Sequence, residues 1–154
     1  MTKLTEGQIA PDFTAKSIKR ENFRLYDVLK ENKYTILYFY PKDFTMGCTK
    51  EACSFRDYYS LIKNFGAEVI GISLDDIETH KSFAKEHNLQ FDLIHDEGGK
   101  ISELYGVLKN IFGKKFASRV TFVINKDGKI IKVFNKVNAS DHGWEIYEFL
   151  KSLG

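Results

Sequence analysis

Short apolar, β-branched runs alternate along the chain with stretches whose apolar positions recur every three or four residues. Tyr34-Thr-Ile-Leu-Tyr-Phe-Tyr40 is continuous, carries no charge and ends at Pro41, as a strand buried on both faces does. Similar runs at residues 67–73, 91–94, 120–125 and 129–134 read as further strands. Lys126-Asp127-Gly128 separates the last two, and its Asp-Gly pair predicts a hairpin, so at least one antiparallel pair belongs to the sheet. Helical spacing occupies about residues 47–64, 77–88, 101–105 and 141–153. In the last, Asp141 is the expected N-cap, and Trp144, Ile146, Tyr147, Phe149 and Leu150 form a stripe expected in the core. This succession predicts an α/β sandwich with a mixed sheet flanked by helices; thioredoxin-like and flavodoxin-like arrangements both satisfy it.

Composition narrows the picture. A chain of 154 residues predicts one domain, 1–154, with a core of its own, and 43% hydrophobic against 29% charged residues is a globular balance. The net charge of +2 gives no single-signed field for nucleic acid or an anionic membrane, and the Lys114-Lys115 doublet is too short to change that. The start, Met1-Thr2-Lys3-Leu4-Thr5-Glu6, has no signal-like apolar run, and no segment approaches the roughly 20 apolar residues of a membrane helix, so a cytoplasmic protein is expected. Asn138-Ala139-Ser140 then reads as a chance glycosylation match.

Cysteine usage carries the chemistry. There are 2 cysteines, too few for a secreted disulfide framework or an all-cysteine zinc site. Both fall in the helix of residues 47–64. Cys48, Ala52, Phe55, Tyr59 and Ile62 form its apolar row; Thr49, Cys53, Arg56, Ser60 and Lys63 form a polar row in which a bland structural thiol is out of place. Five helical steps separate the Cα atoms by roughly 8 to 9 Å, beyond the limit of about 7 Å for a disulfide. The two are therefore either unrelated thiols or a switch whose helix must unwind before they bond. Cys48 follows a strand, Pro41, a loop and Gly47, which puts it in the first helical turn, where free N–H groups and the helix dipole favour a thiolate. Thr45 offers a hydroxyl to the sulfur or to a bound oxygen. A phosphatase loop needs Arg where Ser54 stands, and a thioredoxin-type pair needs two intervening residues rather than four, so both of those readings are weakened.

The stretch Tyr38-Phe-Tyr-Pro41-Lys-Asp-Phe-Thr45-Met-Gly-Cys48-Thr-Lys-Glu51-Ala-Cys53-Ser-Phe-Arg56-Asp57 resembles the peroxiredoxins, specifically the Q-type branch also called bacterioferritin comigratory protein. The likeness extends to Ala10-Pro11-Asp12-Phe13, Gly71-Ile72-Ser73, Phe91-Asp-Leu-Ile-His-Asp96, Leu104-Tyr105-Gly106-Val107 and Arg119-Val-Thr121-Phe122-Val-Ile124. It implies a thioredoxin-like fold with an N-terminal extension, and a thiol-dependent peroxidase. Carried over, Cys48 is the peroxidatic and Cys53 the resolving cysteine. Thr45 and Arg119 bind the peroxide and stabilise the thiolate, Pro41 shields the sulfur, and Glu51 bonds an arginine of the site.

The implied cycle runs from a Cys48 sulfenic acid through a Cys48–Cys53 disulfide to reduction by thioredoxin or a glutaredoxin-like protein. No metal, flavin or haem is required, and a monomer is expected, with a homodimer as the alternative. Three positions depart from the pattern: Met46 replaces a proline and Phe44 a small acidic or polar residue, which predicts a more apolar or more mobile loop, and His95 stands at a position often Ser, from which no consequence is drawn. A different class of reading is a redox sensor or chaperone-like protein switched by Cys48 oxidation; a third is a binding module with inert thiols.

The remaining features read as structural. His80, His87, His95 and His142 lack ligand-like spacing and are expected in solvent or at caps; Asp75-Asp76 reads as a cap and Gly98-Gly99 as a turn.

Overall fold

A computed structural model describes residues 4–154; the reading made at Met1-Thr2-Lys3 lies outside them. The strands are β1 (Thr14–Ser17), β2 (Phe23–Arg24), β3 (Tyr34–Phe39), β4 (Ala67–Ser73), β5 (Asp92–His95), β6 (Leu108–Ile111), β7 (Lys114–Ala117), β8 (Val120–Asn125) and β9 (Ile130–Phe134). The helices are α1 (Leu25–Glu31), α2 (Met46–Lys63), α3 (Ile77–His87), α4 (Lys100–Leu104) and α5 (His142–Ser152). Seven strands form one sheet in the order β2-β1-β5-β4-β3-β8-β9, while β6 and β7 form a separate hairpin. Central β3 pairs parallel with β4 and antiparallel with β8. A flavodoxin-like sheet is parallel at this place, so the antiparallel partner separates the two arrangements left open by periodicity.

The sheet has an apolar layer on each face because successive side chains of a strand point to opposite sides. Ile36, Tyr38 and Tyr40 join Cys48, Ala52, Phe55, Phe83, Ile146 and Leu150 beneath α2, α3 and α5. Leu37 and Phe39 join Leu25, Val28, Leu29, Ile101 and Tyr105 beneath α1 and α4. Gly71 of β4 makes room in the first layer: a Cβ there would stand 2.7 Å from Leu93 and 2.9 Å from the Tyr38 ring. That ring packs tilted against Phe55 of α2 at 4.6 Å between centroids, so a residue without a side chain fixes how closely α2 lies on the sheet.

The predicted hairpin forms between β8 and β9, with the Asn125 Oδ1 accepting from the Asp127 and Lys129 N–H groups. Three expectations are corrected. Trp144 is 47% exposed, because two positions along a helix is a turn of about 200° and Ile146 takes the inward face. Asp141 stands at the α5 N-cap position but makes no side-chain cap there; the Gly143 N–H is instead satisfied by Ser54 Oγ of α2 at 2.8 Å. His80 and His142 are fully buried, not solvated. His142 bonds Thr121 Oγ1 and Glu145, and burial depresses its pKa despite the Glu145 carboxylate. Of the acidic doublet only Asp76 caps α3, accepting from Thr79 N–H, while Asp75 accepts from the Asp43 N–H and the Ser73 hydroxyl. Gly98 and Gly99 do form a turn, both with positive φ.

Candidate active site

Strand β3 and helix α2 are joined by residues 40–45, and the way this loop is tied down sets where α2 begins. Pro41 is half-buried at the point where the chain leaves the sheet. Asp43 is buried; its N–H bonds Asp75, its Oδ1 accepts from Tyr40 OH at 2.6 Å, and its Oδ2 faces His80 Nδ1 at 2.6 Å. His80 Nε2 faces the Ile94 carbonyl at 2.9 Å. Asp43, Asp75 and His80 bring potential ligand atoms within 4.8 Å of one another. Both ring nitrogens are already engaged, however, so the cluster reads as a polar clasp between the loop, β4 and α3 rather than as a cation cradle. Sequence spacing carries no signal for it, since its members meet only through the fold.

Phe44 adopts φ 66°, uncommon for a side chain of its size, and sets its ring edge-on to Phe83 at 5.2 Å. Of the three departures, then, Phe44 anchors the loop on α3, Met46 projects 76% exposed, and His95 Nδ1 bonds the Asp75 carbonyl. Thr45 is the N-cap residue of α2, but its hydroxyl donates back to the Lys42 carbonyl at 2.8 Å and makes no cap bond.

Cys48 is the third residue of α2 and only 1% exposed. Amides of a first helical turn have no intrahelical acceptor, so the sulfur lies at the positive end of the helix. Arg119, just before β8, reaches it with Nη2 at 3.4 Å, while Nη1 donates to Glu51 Oε1 at 2.7 Å. Glu51 is fully buried one turn after Cys48, and among the described residues its Oε2 has no hydrogen-bond partner. Burial lifts its carboxyl to about 7, against the pull of the Arg119 guanidinium. Burial disfavours charge on Arg119 too, but Glu51 and Cys48 outweigh it and raise its pKa. Gly47 has a steric reason: a Cβ there would come within 3.0 Å of Arg119 Nη2. The guanidinium passes directly over the helix start because that position has no side chain.

Cys53 is half-buried on the other row of α2, and both thiols are free. Its Sγ lies 3.8 Å from His87 Nδ1 of α3, a residue expected from the sequence in solvent or at a cap. The structure therefore brings Cys48, Arg119 and Glu51 into one cluster, keeps Cys53 apart on the same helix, and turns the Thr45 hydroxyl to its own loop.

A thiol at a helix start, faced by a half-buried arginine paired with a buried carboxylate and borne on this mixed sheet, is the arrangement of a thiol peroxidase. The chain belongs to the AhpC/TSA family, whose model matches residues 7–133. Within it the protein is a thiol-dependent peroxidase of the peroxiredoxin type, similar to the Bcp and Q branch. It is 43% identical over 151 residues to Peroxiredoxin Bcp of Bacillus subtilis, covering 96% of this chain and 95% of that one. It is also 43% identical to the chloroplastic Peroxiredoxin Q of Arabidopsis thaliana, covering 97% of this chain and 68% of the relative. Among solved structures, Peroxidoxin BcpB from Mycobacterium tuberculosis superposes with a TM-score of 0.90 at 30% identity, over 98% and 99% of the two chains. The thioredoxin-like fold of the peroxiredoxins is thereby the fold of this chain.

Proposed function

We propose that Cys48 is the peroxidatic and Cys53 the resolving cysteine of a peroxidase that closes its disulfide within one chain. The observation that carries this reading is the Cys48 sulfur at the start of α2 with the Arg119 guanidinium 3.4 Å away, itself braced by Glu51. The Cys48 thiolate attacks the distal oxygen of a hydroperoxide; the O–O bond breaks, the alcohol or water leaves, and the sulfur becomes a sulfenic acid. Arg119 and the helix-start amides balance charge as that bond breaks. Thr45 contributes an oxygen contact to the peroxide, and Pro41 keeps water from the sulfur. The first turns of α2 then open, Cys53 attacks the Cys48 sulfur, and water is released with formation of the disulfide.

The partner that resets it is an external dithiol protein, thioredoxin or glutaredoxin-like, and Cys53 on the wetter row suits such an approach. Among the described residues no helix is long and apolar enough to cross a membrane. A cycle that must be re-reduced at each turn fits the cytoplasm, where thiols are kept reduced. Two apolar layers sharing one sheet support taking residues 1–154 as a single domain, and a disulfide closed within one chain is compatible with a working monomer.

Peroxide consumption coupled to thioredoxin and its reductase tests the roles. Cys48→Ser is expected to abolish turnover. Cys53→Ser is expected to reduce one equivalent of peroxide and then stall as a trappable sulfenic acid. Turnover by the first, or normal thioredoxin-driven cycling by the second, overturns the assignment.

A further inference from the structure

A resolving thiol has to lose a proton before it can attack, and among the described residues His87 stands beside Cys53 to take it. His87 closes α3 with Nδ1 3.8 Å from Cys53 Sγ, while its Nε2 lies 3.8 Å from Glu86 Oε2. In the tautomer with Nε2–H on the side of the Glu86 carboxylate, the Nδ1 lone pair faces the thiol. The ring is held in place, set edge-on to Phe83 at 5.1 Å and tilted to Phe44 at 6.5 Å.

The contact also sits on the part of α2 that stays anchored. Arg56, three residues beyond Cys53, donates to the His87 carbonyl at 2.9 Å, Gln90 donates to the Arg56 carbonyl, and Ser54 holds the Gly143 N–H of α5. Opening the helix ahead of Cys53 leaves these ties intact. His87 thus stays beside Cys53 while Cys48 is carried toward it, and through Phe44 the same ring touches the loop that must move.

We propose that His87 is the base of the resolving step, a reading that rests on the assignment of Cys53 as the resolving cysteine. Cys53 gives its S–H proton to His87 Nδ1; the sulfur electron pair forms the S–S bond to Cys48; the S–O bond of the sulfenic acid breaks, and its oxygen departs as water with the proton His87 returns. The sulfenic acid is the oxidant, and the only other product is water.

Several charged or titratable groups face the ring. Cys53 and Arg56 come from α2, where the guanidinium is also paired with Asp57; Glu86 comes from α3. Phe44 on the loop side does not titrate. An ordinary thiol ionising near pH 8.5 is only about 3% thiolate at pH 7, so delivery of the thiolate by a base is worth at most about 30-fold there and vanishes once solvent ionises the thiol unaided.

The test is a single turnover of the reduced full chain, with sulfenic acid and disulfide quantified by mass spectrometry after an alkylating quench. In His87→Asn, which keeps a hydrogen-bonding group but cannot carry the proton, the peroxide step is expected to be unchanged. Disulfide formation is expected to slow about 10- to 30-fold at pH 7 and to recover to within about 2-fold at pH 9.5. Added imidazole is expected to restore part of the rate in His87→Ala. An unchanged rate at pH 7, or a deficit that persists equally at pH 9.5, overturns the proposal. Cys53→Ser run in parallel separates the two claims: if it stalls while His87→Asn resolves normally, only the base is lost, whereas normal cycling in Cys53→Ser removes the resolving role and the base with it.

Discussion

Arg119 faces both the Cys48 sulfur and the Glu51 carboxyl, and a pair of substitutions separates what it does for each. Arg119→Met removes the Nη2 contact to Cys48 and also leaves Glu51, fully buried and already short of a partner on Oε2, without its counter-charge. Removing one member of a buried ion pair costs about 3–5 kcal/mol. Here the cost is limited by protonation, because the Glu51 carboxyl already titrates at about 7 with Arg119 in place and higher without it. A carboxyl whose folded pKa lies above its unfolded value binds its proton more tightly when folded, so stability falls as pH rises through that interval. The Arg119→Met loss is therefore expected to be small at pH 5 and to approach the full about 3 kcal/mol at pH 8.5 by urea titration. Adding Glu51→Gln abolishes the buried charge, and the double variant should return to within about 1 kcal/mol of the parent across this range. Its chemistry should not return. A charge-assisted bond to the reacting sulfur is worth about 1.5–3 kcal/mol, so the rate constant with hydrogen peroxide should stay about 10- to 150-fold low in both the single and the double variant. Stopped-flow peroxide consumption reads this directly. If the double variant recovers the parental rate, Arg119 serves only to neutralise Glu51, and its role at the sulfur is refuted.

Two glycines give further tests. Gly47→Ala puts a Cβ 3.0 Å from Arg119 Nη2, the nitrogen that faces the Cys48 sulfur, and displacing it is expected to slow the peroxide step by about 10-fold with little change in melting temperature. Gly71→Ala sets a methyl 2.7 Å from Leu93 and 2.9 Å from the Tyr38 ring, so a loss of about 1–3 kcal/mol is expected in urea titration; parental stability would show that α2 is not seated as closely on the sheet as its contacts require.

What could be read from the sequence follows the range over which each signal acts. Strand β4 lies where expected, and β3 within one residue, because a run of apolar side chains bounded by turn residues is local and strong. The β6–β7 hairpin escaped: its strands are short and largely exposed, and its turn places Phe112 and Gly113 at positive φ where Asn-Gly would have been the recognisable signal. Elements β1, β2 and α1 are short too, although Leu25, Val28 and Leu29 carry a helical spacing that could have been found. At the site, helical periodicity placed the two thiols on different rows of α2, as observed. Arg119 meets Glu51 across 68 positions and His87 meets Cys53 across 34, contacts that no local pattern encodes. The first pair came from resemblance; the second came only from the fold.

The uneven anchoring of α2 bears on how oxidation and unwinding are coupled in the proposed cycle. Beyond Cys53 the helix is fastened to α5 through Ser54, to α3 through Arg56 and to the sheet through the Phe55 ring. Ahead of it, the polar ties are those of Arg119 to Cys48 and Glu51, and Thr45 makes no side-chain cap. One of the Arg119 ties changes with the chemistry. A thiolate is a charged acceptor for the guanidinium, whereas a sulfenic acid is neutral, so oxidation weakens a bond worth about 1.5–3 kcal/mol on the unfastened side alone. A shift of 1.4 kcal/mol is tenfold in an opening equilibrium, enough for the arginine proposed to act in the peroxide step to loosen its hold on the helix start once that step is complete. In the proposed cycle, the tie from Arg119 to the Cys48 sulfur holds the helix start closed before oxidation and is weakened by it.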